Sequence, residues 1–270
     1  MKTTFLNLII VLSVLFSGCK QNTTNGLNPD KPRSFLPPNT GNISELVIVI
    51  PDNLWEGNTG QELKNIFQAN VLGIPQQEAL FDVFAINPAQ FSNIFKTHKN
   101  ILWLTIGQPN SVNRSDAKWA KEQLVVSISS NSEQELTNLV RTKGIEVREW
   151  FLAKDLDRRT RKIAKSSDKE LQKEIFEAYK YNILVPNNFN VILSEQDFVW
   201  LRRDQAKVSV ISNLWIHSLP YKNTSQLSKE SIIQLRDSLG RTHVEGTRPQ
   251  SYMSTEMLYE PDFTLVSENP

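Results

Sequence analysis

The chain has 270 residues, with 30 basic and 29 acidic side chains and a formal net charge of +1 at pH 7. This balance gives no field that would attract nucleic acid, so we expect no nucleic-acid partner. The only cysteine is Cys19, which excludes an intramolecular disulfide and any metal site built from several cysteines.

Residues 1–18 have the pattern of a bacterial lipoprotein signal peptide. One lysine precedes an apolar run from Phe5 to Phe16. As a helix this run would span about 18 Å, which is too short for a hydrocarbon core of about 30 Å. The run therefore predicts a signal peptide rather than a membrane span. Phe16-Ser17-Gly18-Cys19 resembles the lipobox, in which the chain is cut just before a diacylated cysteine. The alternative is an ordinary cleaved signal that leaves Cys19 behind.

Lipid on Cys19 would attach the mature protein to a membrane, because two acyl chains are enough for stable anchoring. Residues 19–42 would then form a flexible tether. They contain four prolines, two glycines and many Asn and Thr residues, and such a composition does not bury enough apolar surface to fold. No acidic run follows Cys19. We therefore expect a lipid anchor in the cell envelope, on the outer membrane and facing the periplasm.

Strand and helix patterns alternate over residues 43–130, which we expect to form a first α/β lobe. LVIVI at 46–50 is a continuous β-branched run, typical of a strand buried on both faces. The later elements are a helix begun by the Thr59–Glu62 capping box, a helix begun by Asn87-Pro88, and strands at 80–86, 101–106 and 123–129.

Residues 131–270 begin with helices and continue with strands, which predicts a second α+β lobe. Ser132 and Glu135 form a capping box for a helix that should end at Gly144, and two more helices are expected at 146–164 and 168–180. The strand patterns NILVP, FNVIL, DFVWLRR and KVSVISNLWIHSL follow. Their connections are too short for crossover helices, so they should pair antiparallel. A last helix, 228–239, should end at Gly240.

These elements predict an α+β fold with mixed and antiparallel sheets and packed helices. IVIPDNL at 48–54 is similar to ILVPNNF at 183–189. This similarity is a sign of two related lobes.

The sequence contains no motif that identifies a reaction class, such as a nucleophile elbow, a P-loop or a zinc-protease helix. We therefore assign no catalytic residue, no metal and no cofactor. His217, His243 and Glu245 could supply metal ligands if the last two shared one face of a strand, but two-residue spacings of this kind arise often by chance. His98 lies in a polar turn and is expected to be solvated.

Trp200, Arg202 and Arg203 are the candidate ligand-binding residues. In a strand, Trp200 and Arg202 share one face, and Arg203 lies on the other. A guanidinium beside an indole suits the capture of a carboxylate or phosphate. The alternative is that the arginines pair with Asp197 or Asp204.

Residues 154–170 carry seven basic and four acidic side chains. Asp155 with Arg159 and Asp157 with Arg161 have the i, i+4 spacing of helical ion pairs, which indicates a solvated helix. Contact with anionic lipid head groups is the alternative.

NPAQFSNIFKTHKNILWLTI, DFVWLRRD, NILVPNNF and PQSYMSTE resemble a lipoprotein family of Bacteroidota described as domain of unknown function 4837, over about residues 44–260. The resemblance implies an envelope lipoprotein and transfers no catalytic residue. We expect a domain that binds an envelope protein or glycan partner without catalysis. The alternative is a periplasmic hydrolase that uses carboxylates with His217 or His243.

Overall fold

The computed structural model describes residues 35–205, 210–259 and 261–263. The predicted signal peptide and Cys19 lie outside these residues. The strands are β1 (Glu45–Val49), β2 (Asp82–Ile86), β3 (Asn100–Ile106), β4 (Ser111–Asp116), β5 (Leu124–Ser130), β6 (Asn190–Ser194), β7 (Phe198–Gln205) and β8 (Val210–His217). The helices are α1 (Asp52–Glu56), α2 (Asn58–Phe67), α3 (Asn93–Lys96), α4 (Glu133–Lys165), α5 (Lys169–Tyr179) and α6 (Lys229–His243). The α+β prediction is confirmed.

The first sheet has five strands in the order β2-β1-β3-β5-β4. All pairs are parallel except β4 with β5. Strand β1 pairs on both sides, which explains why its sequence is a continuous apolar run. Strand β4, SVNRSD, was not predicted. It is a polar edge strand, and an edge strand needs no apolar face to be held by its neighbour.

Helices α1, α2 and α4 cover one face of this sheet and bury the main core. Phe67, Phe81 and Phe151 meet edge to face in its centre, with ring centroids 6.0–6.4 Å apart. On the other face, Phe91 packs against Trp103 and Trp119. A long helix therefore covers only one side of the first sheet in the part of the chain that the structure describes.

Helix α4 is a single helix, whereas the sequence predicted a stop at Gly144 and a new start at 146. Gly144 lies in its interior, where a Cβ would come within 2.5 Å of Ile66 Cδ1 on α2. The glycine allows the two helices to approach closely and does not act as a cap. Helix α4 packs against α2 and β5, although the sequence grouped it with the second lobe.

The second sheet is an antiparallel meander in the order β6-β7-β8, as predicted for these three strands. The predicted strand NILVP is absent. Its Val185 is instead buried against α5 and the sheet, and its carbonyl accepts a hydrogen bond from the Asp168 main chain at 2.9 Å. Because ILVPNNF contains no strand, its similarity to the β1 segment does not report a shared structural element.

Helix α6 continues to His243, three residues beyond the predicted stop at Gly240. Gly240 is buried, and a Cβ there would lie 1.9 Å from the carbonyl oxygen of Met253. This glycine also marks a close approach rather than a helix end.

The last residues of the predicted tether are attached to the domain. The Thr40 main chain exchanges hydrogen bonds with Thr97 and Lys99, at 2.9 and 3.0 Å, and the Asn39 amide donates to the Lys121 carbonyl at 2.8 Å. A flexible tether therefore cannot extend through residue 42.

Candidate functional site

Two predicted histidines lie around Phe198, at one end of the second sheet. His217 is the residue paired directly with Phe198 across β7 and β8, so both side chains are on the same face. The His243 ring, from the end of α6, stacks on the Phe198 ring with centroids 4.0 Å apart and planes within 6°. The two histidines are 26 residues apart in sequence, and the packing of α6 on the sheet brings both of them next to Phe198.

The turn between β6 and β7 borders both histidines, through one carboxylate and one main-chain carbonyl. His243 Nδ1 lies 3.8 Å from Glu195 Oε2. His217 Nδ1 lies 2.8 Å from the Asp197 carbonyl oxygen, a distance that fits donation by Nδ1–H. The remaining nitrogen of His217 would then be an acceptor.

Tyr179 adds a phenol to the same turn from the other face of the sheet. Its hydroxyl donates a hydrogen bond to the Glu195 carbonyl at 2.6 Å. Burial, followed by the nearby Asp197 carboxylate, raises the pKa of Tyr179. The phenol therefore stays protonated and holds the turn in place.

The arrangement does not match a three-ligand metal site. His243 ends a helix, and Glu245 lies beyond it in an isolated bridge with Tyr252, so the two do not share a strand face. Among the residues that the structure describes, no group of three or more His, Cys, Asp or Glu side chains could hold a metal ion.

The candidate ligand-binding residues lie on both faces of β7. Trp200 Nε1 donates to the Asn213 side chain at 2.9 Å, and Arg202 Nε donates to Asp204 at 2.9 Å on the same face. Arg203 lies on the opposite face, with its guanidinium 5.1 Å from the Phe189 ring centroid and a bond to Ser212. Only Trp200 and Arg202 can therefore contact one ligand on one face.

The prediction that His98 is solvated is wrong. Its side chain is only 12% exposed, and Nε2 lies 3.2 Å from Glu45 Oε2. Burial lowers the pKa of His98, and the Glu45 carboxylate opposes this shift. Residues 40–42 fold back over the ring, with Gly41 against it. This contact could not be read from the sequence because it joins segments far apart in the chain.

A cluster of buried polar side chains between α4 and the first sheet was not predicted. Asp155 and Arg158 are 3% and 8% exposed, and they pair with each other and with the Asn100 side chain. A signal was present, because both positions continue the stripe of Val147 and Phe151 along α4 at helical spacing. The predicted pair of Asp157 and Arg161 is confirmed at 2.7 Å, whereas the predicted pair of Asp155 with Arg159 is wrong, because Asp155 pairs with Arg158.

Comparison with protein families gives two matches. Residues 39–164 match domain of unknown function 8532, and residues 168–269 match domain of unknown function 4837. The predicted resemblance to the second family is thus confirmed for the C-terminal part, while most of the N-terminal part matches another family. Comparisons with curated proteins and with solved structures gave no match. None of the described helices is both long enough and apolar enough to cross a membrane.

Proposed function

We propose that the chain is a lipid-anchored envelope protein that binds a protein partner. The family model that matches residues 168–269 assigns no reaction, so the proposal is argued from the surface of the chain. Strand β8 is the observation that supports this proposal. It forms the outer edge of the second sheet as far as the structure describes the chain. Its outward N–H and C=O groups are therefore available to a further strand.

The sequence of β8 lacks the features that protect edge strands from association. VISNLWIH contains no Lys, Arg, Asp, Glu or Pro, and its ladder with β7 has eight consecutive pairs without a bulge. Val210, Ile211 and Leu214 are 48%, 56% and 37% exposed. These side chains lie on both faces of the strand, so a partner segment could bury apolar surface on either side.

Trp200 and Arg202 extend this surface across β7 on the face that carries Ile211. We include them in the proposed binding surface. Both partners of the Arg202–Asp204 ion pair are exposed, so the pair contributes little to stability. It is therefore available to rearrange when a partner binds.

The test replaces an apolar edge residue with a charge. Ile211→Lys should abolish cross-linking of the envelope partner, because a lysine on an edge strand opposes the addition of another strand. Ile145→Lys is a matched control, since Ile145 is also 56% exposed but lies on α4. Equal recovery of the partner with both variants would contradict the proposal. Recovery of a glycan instead of a protein would favour the glycan alternative.

A hydrolase remains the second candidate, and the grouping of His217, His243 and Glu195 around Phe198 supports it. In such a hydrolase, one histidine would act as a general base, and a carboxylate or a carbonyl would orient it. If His217→Ala and His243→Ala both fully complement a deletion strain, histidine catalysis is excluded.

A further inference from the structure

The chain after α6 folds into a closed loop over residues 245–252. Glu245 and Tyr252 form a bridge at its base, and the Gly246 main chain donates to the Ser251 carbonyl at 2.8 Å. At its tip, the Ser251 hydroxyl accepts from the Arg248 main chain at 3.2 Å and lies 2.7 Å from its carbonyl oxygen. These bonds fix the backbone of the loop without using the side chain of Arg248.

A cavity of about 560 Å³ lies between this loop and the last turn of α6. Its volume is within the range of small-molecule sites, which is roughly 300–1,000 Å³. The polar side chains that a ligand could contact there come from Arg241, Glu245, Thr247, Arg248, Gln250 and Tyr252. The cavity belongs neither to the β8 edge nor to the histidine group.

The cavity has one more positive than negative side chain. Arg241 lies against Tyr252, 4.7 Å from the ring centroid, and donates to its hydroxyl at 2.7 Å. This contact fixes the guanidinium but uses only one of its five N–H donors. Arg248 is exposed, and its side chain has no ion pair or hydrogen bond within the described parts of the chain. The two guanidinium groups thus offer several donors to an oxyanion.

We propose that this cavity binds a small organic anion that carries hydroxyl groups, such as an acidic or phosphorylated sugar. Arg248 and Arg241 contact the carboxylate or phosphate, because a guanidinium binds both groups in a bidentate manner. Glu245, Thr247 and Gln250 provide acceptors for ligand hydroxyls. The Tyr252 ring, already covered by Arg241, holds the arginine in position.

The test measures binding of three probes to the detergent-solubilised full chain by calorimetry. Glucuronate and glucose 6-phosphate carry the two anionic groups, and glucose is the neutral control. Both anions should bind at least about tenfold more tightly than glucose, since charge-assisted bonds are about twice as strong as neutral ones. A difference between the two anions identifies which oxyanion the cavity prefers.

Arg248→Ala should weaken binding of the anions at least about tenfold, which corresponds to loss of one bidentate contact. Because the Arg248 side chain does not support the loop, the melting temperature should stay the same. Arg159→Ala is the control, since Arg159 is an exposed arginine on α4, away from the cavity. Equal affinity for glucose and the anions, no binding of any probe, or unchanged affinity in Arg248→Ala would overturn the proposal.

Discussion

Arg158 shows how one residue can join three parts of the first sheet. Its guanidinium donates to the Asp155 carboxylate and the Asn100 side chain, and to the main-chain carbonyls of Lys99 and Glu122, at 2.5–2.9 Å. All three of its nitrogens are bonded. Asp155 also accepts from the Ser44 main chain at 3.1 Å. The group therefore ties α4 to the starts of β1 and β3 and to the turn before β5.

Removing this arginine should strongly destabilise the fold. Arg158→Ala leaves the Asp155 carboxylate buried without its cation, and breaking a buried pair in this way costs about 3–5 kcal/mol. The exposed neighbour Arg159→Ala should change the free energy of unfolding by less than about 0.5 kcal/mol. Urea unfolding of both variants checks this. Similar losses in both would mean that the buried pair does not stabilise the fold.

Local spacing predicted some single-residue contacts correctly, but not the partner of Asp155 or the cap of α2. Ser132 accepts a hydrogen bond from the Glu135 main chain, and Asp157 pairs with Arg161, as the local spacings indicate. His98 and Asp155 were predicted to be solvated because both side chains are polar. Their partners lie 53 and 55 positions away and could not be identified locally, although the helical stripe of α4 indicated that Asp155 faces inward.

At the level of elements, two glycines illustrate the same distinction. In sequence, Gly144 and Gly240 each have the features of a helix stop, because glycine is common just after helices. In the structure both lie inside helices, facing Ile66 and Met253. The sequence shows that a small residue is needed, but not whether the reason is a turn or a neighbouring element.

Gly240→Ala should destabilise the protein although alanine is the better helix former. Alanine gains about 1 kcal/mol of helix propensity over glycine. The contact of its Cβ with the Met253 carbonyl oxygen must displace backbone, and overpacking of this kind costs roughly 1–3 kcal/mol. Ser238→Ala, on the exposed side of the same helix, is the control and should not lower the melting temperature. A higher melting temperature for Gly240→Ala would contradict this account of the contact.

At the level of the whole molecule, the described chain has two sheets of different topology. The first is largely parallel and the second is antiparallel. Residues 39–164 and 168–269 match two different families, so the change of family falls between α4 and α5. The division into lobes at residues 130 and 131 stays a prediction, and the packing of α4 on the first sheet favours a boundary after this helix.

The proposed attachment to the envelope rests on Cys19, which lies outside the described residues. Cys19→Ser should release the protein from membrane fractions or leave an uncleaved precursor, because the acyl chains would be lost. Fractionation followed by intact-mass measurement of the membrane-bound and released forms checks this. A membrane-bound mature protein with an unmodified mass would refute the lipid anchor.

The sequence alone predicts the α+β class, the antiparallel pairing of β6, β7 and β8, and the starts of α4, α5 and α6. These features depend on hydrophobic period, capping and connection length, which are local properties. Tertiary contacts decide which polar residues are buried and why glycine occupies positions 144 and 240. The tertiary structure also brings His217, His243 and Glu195 together around Phe198 and places loop 245–252 beside a cavity. Each of these follows from contacts between segments distant in the chain, whose geometry is set by packing.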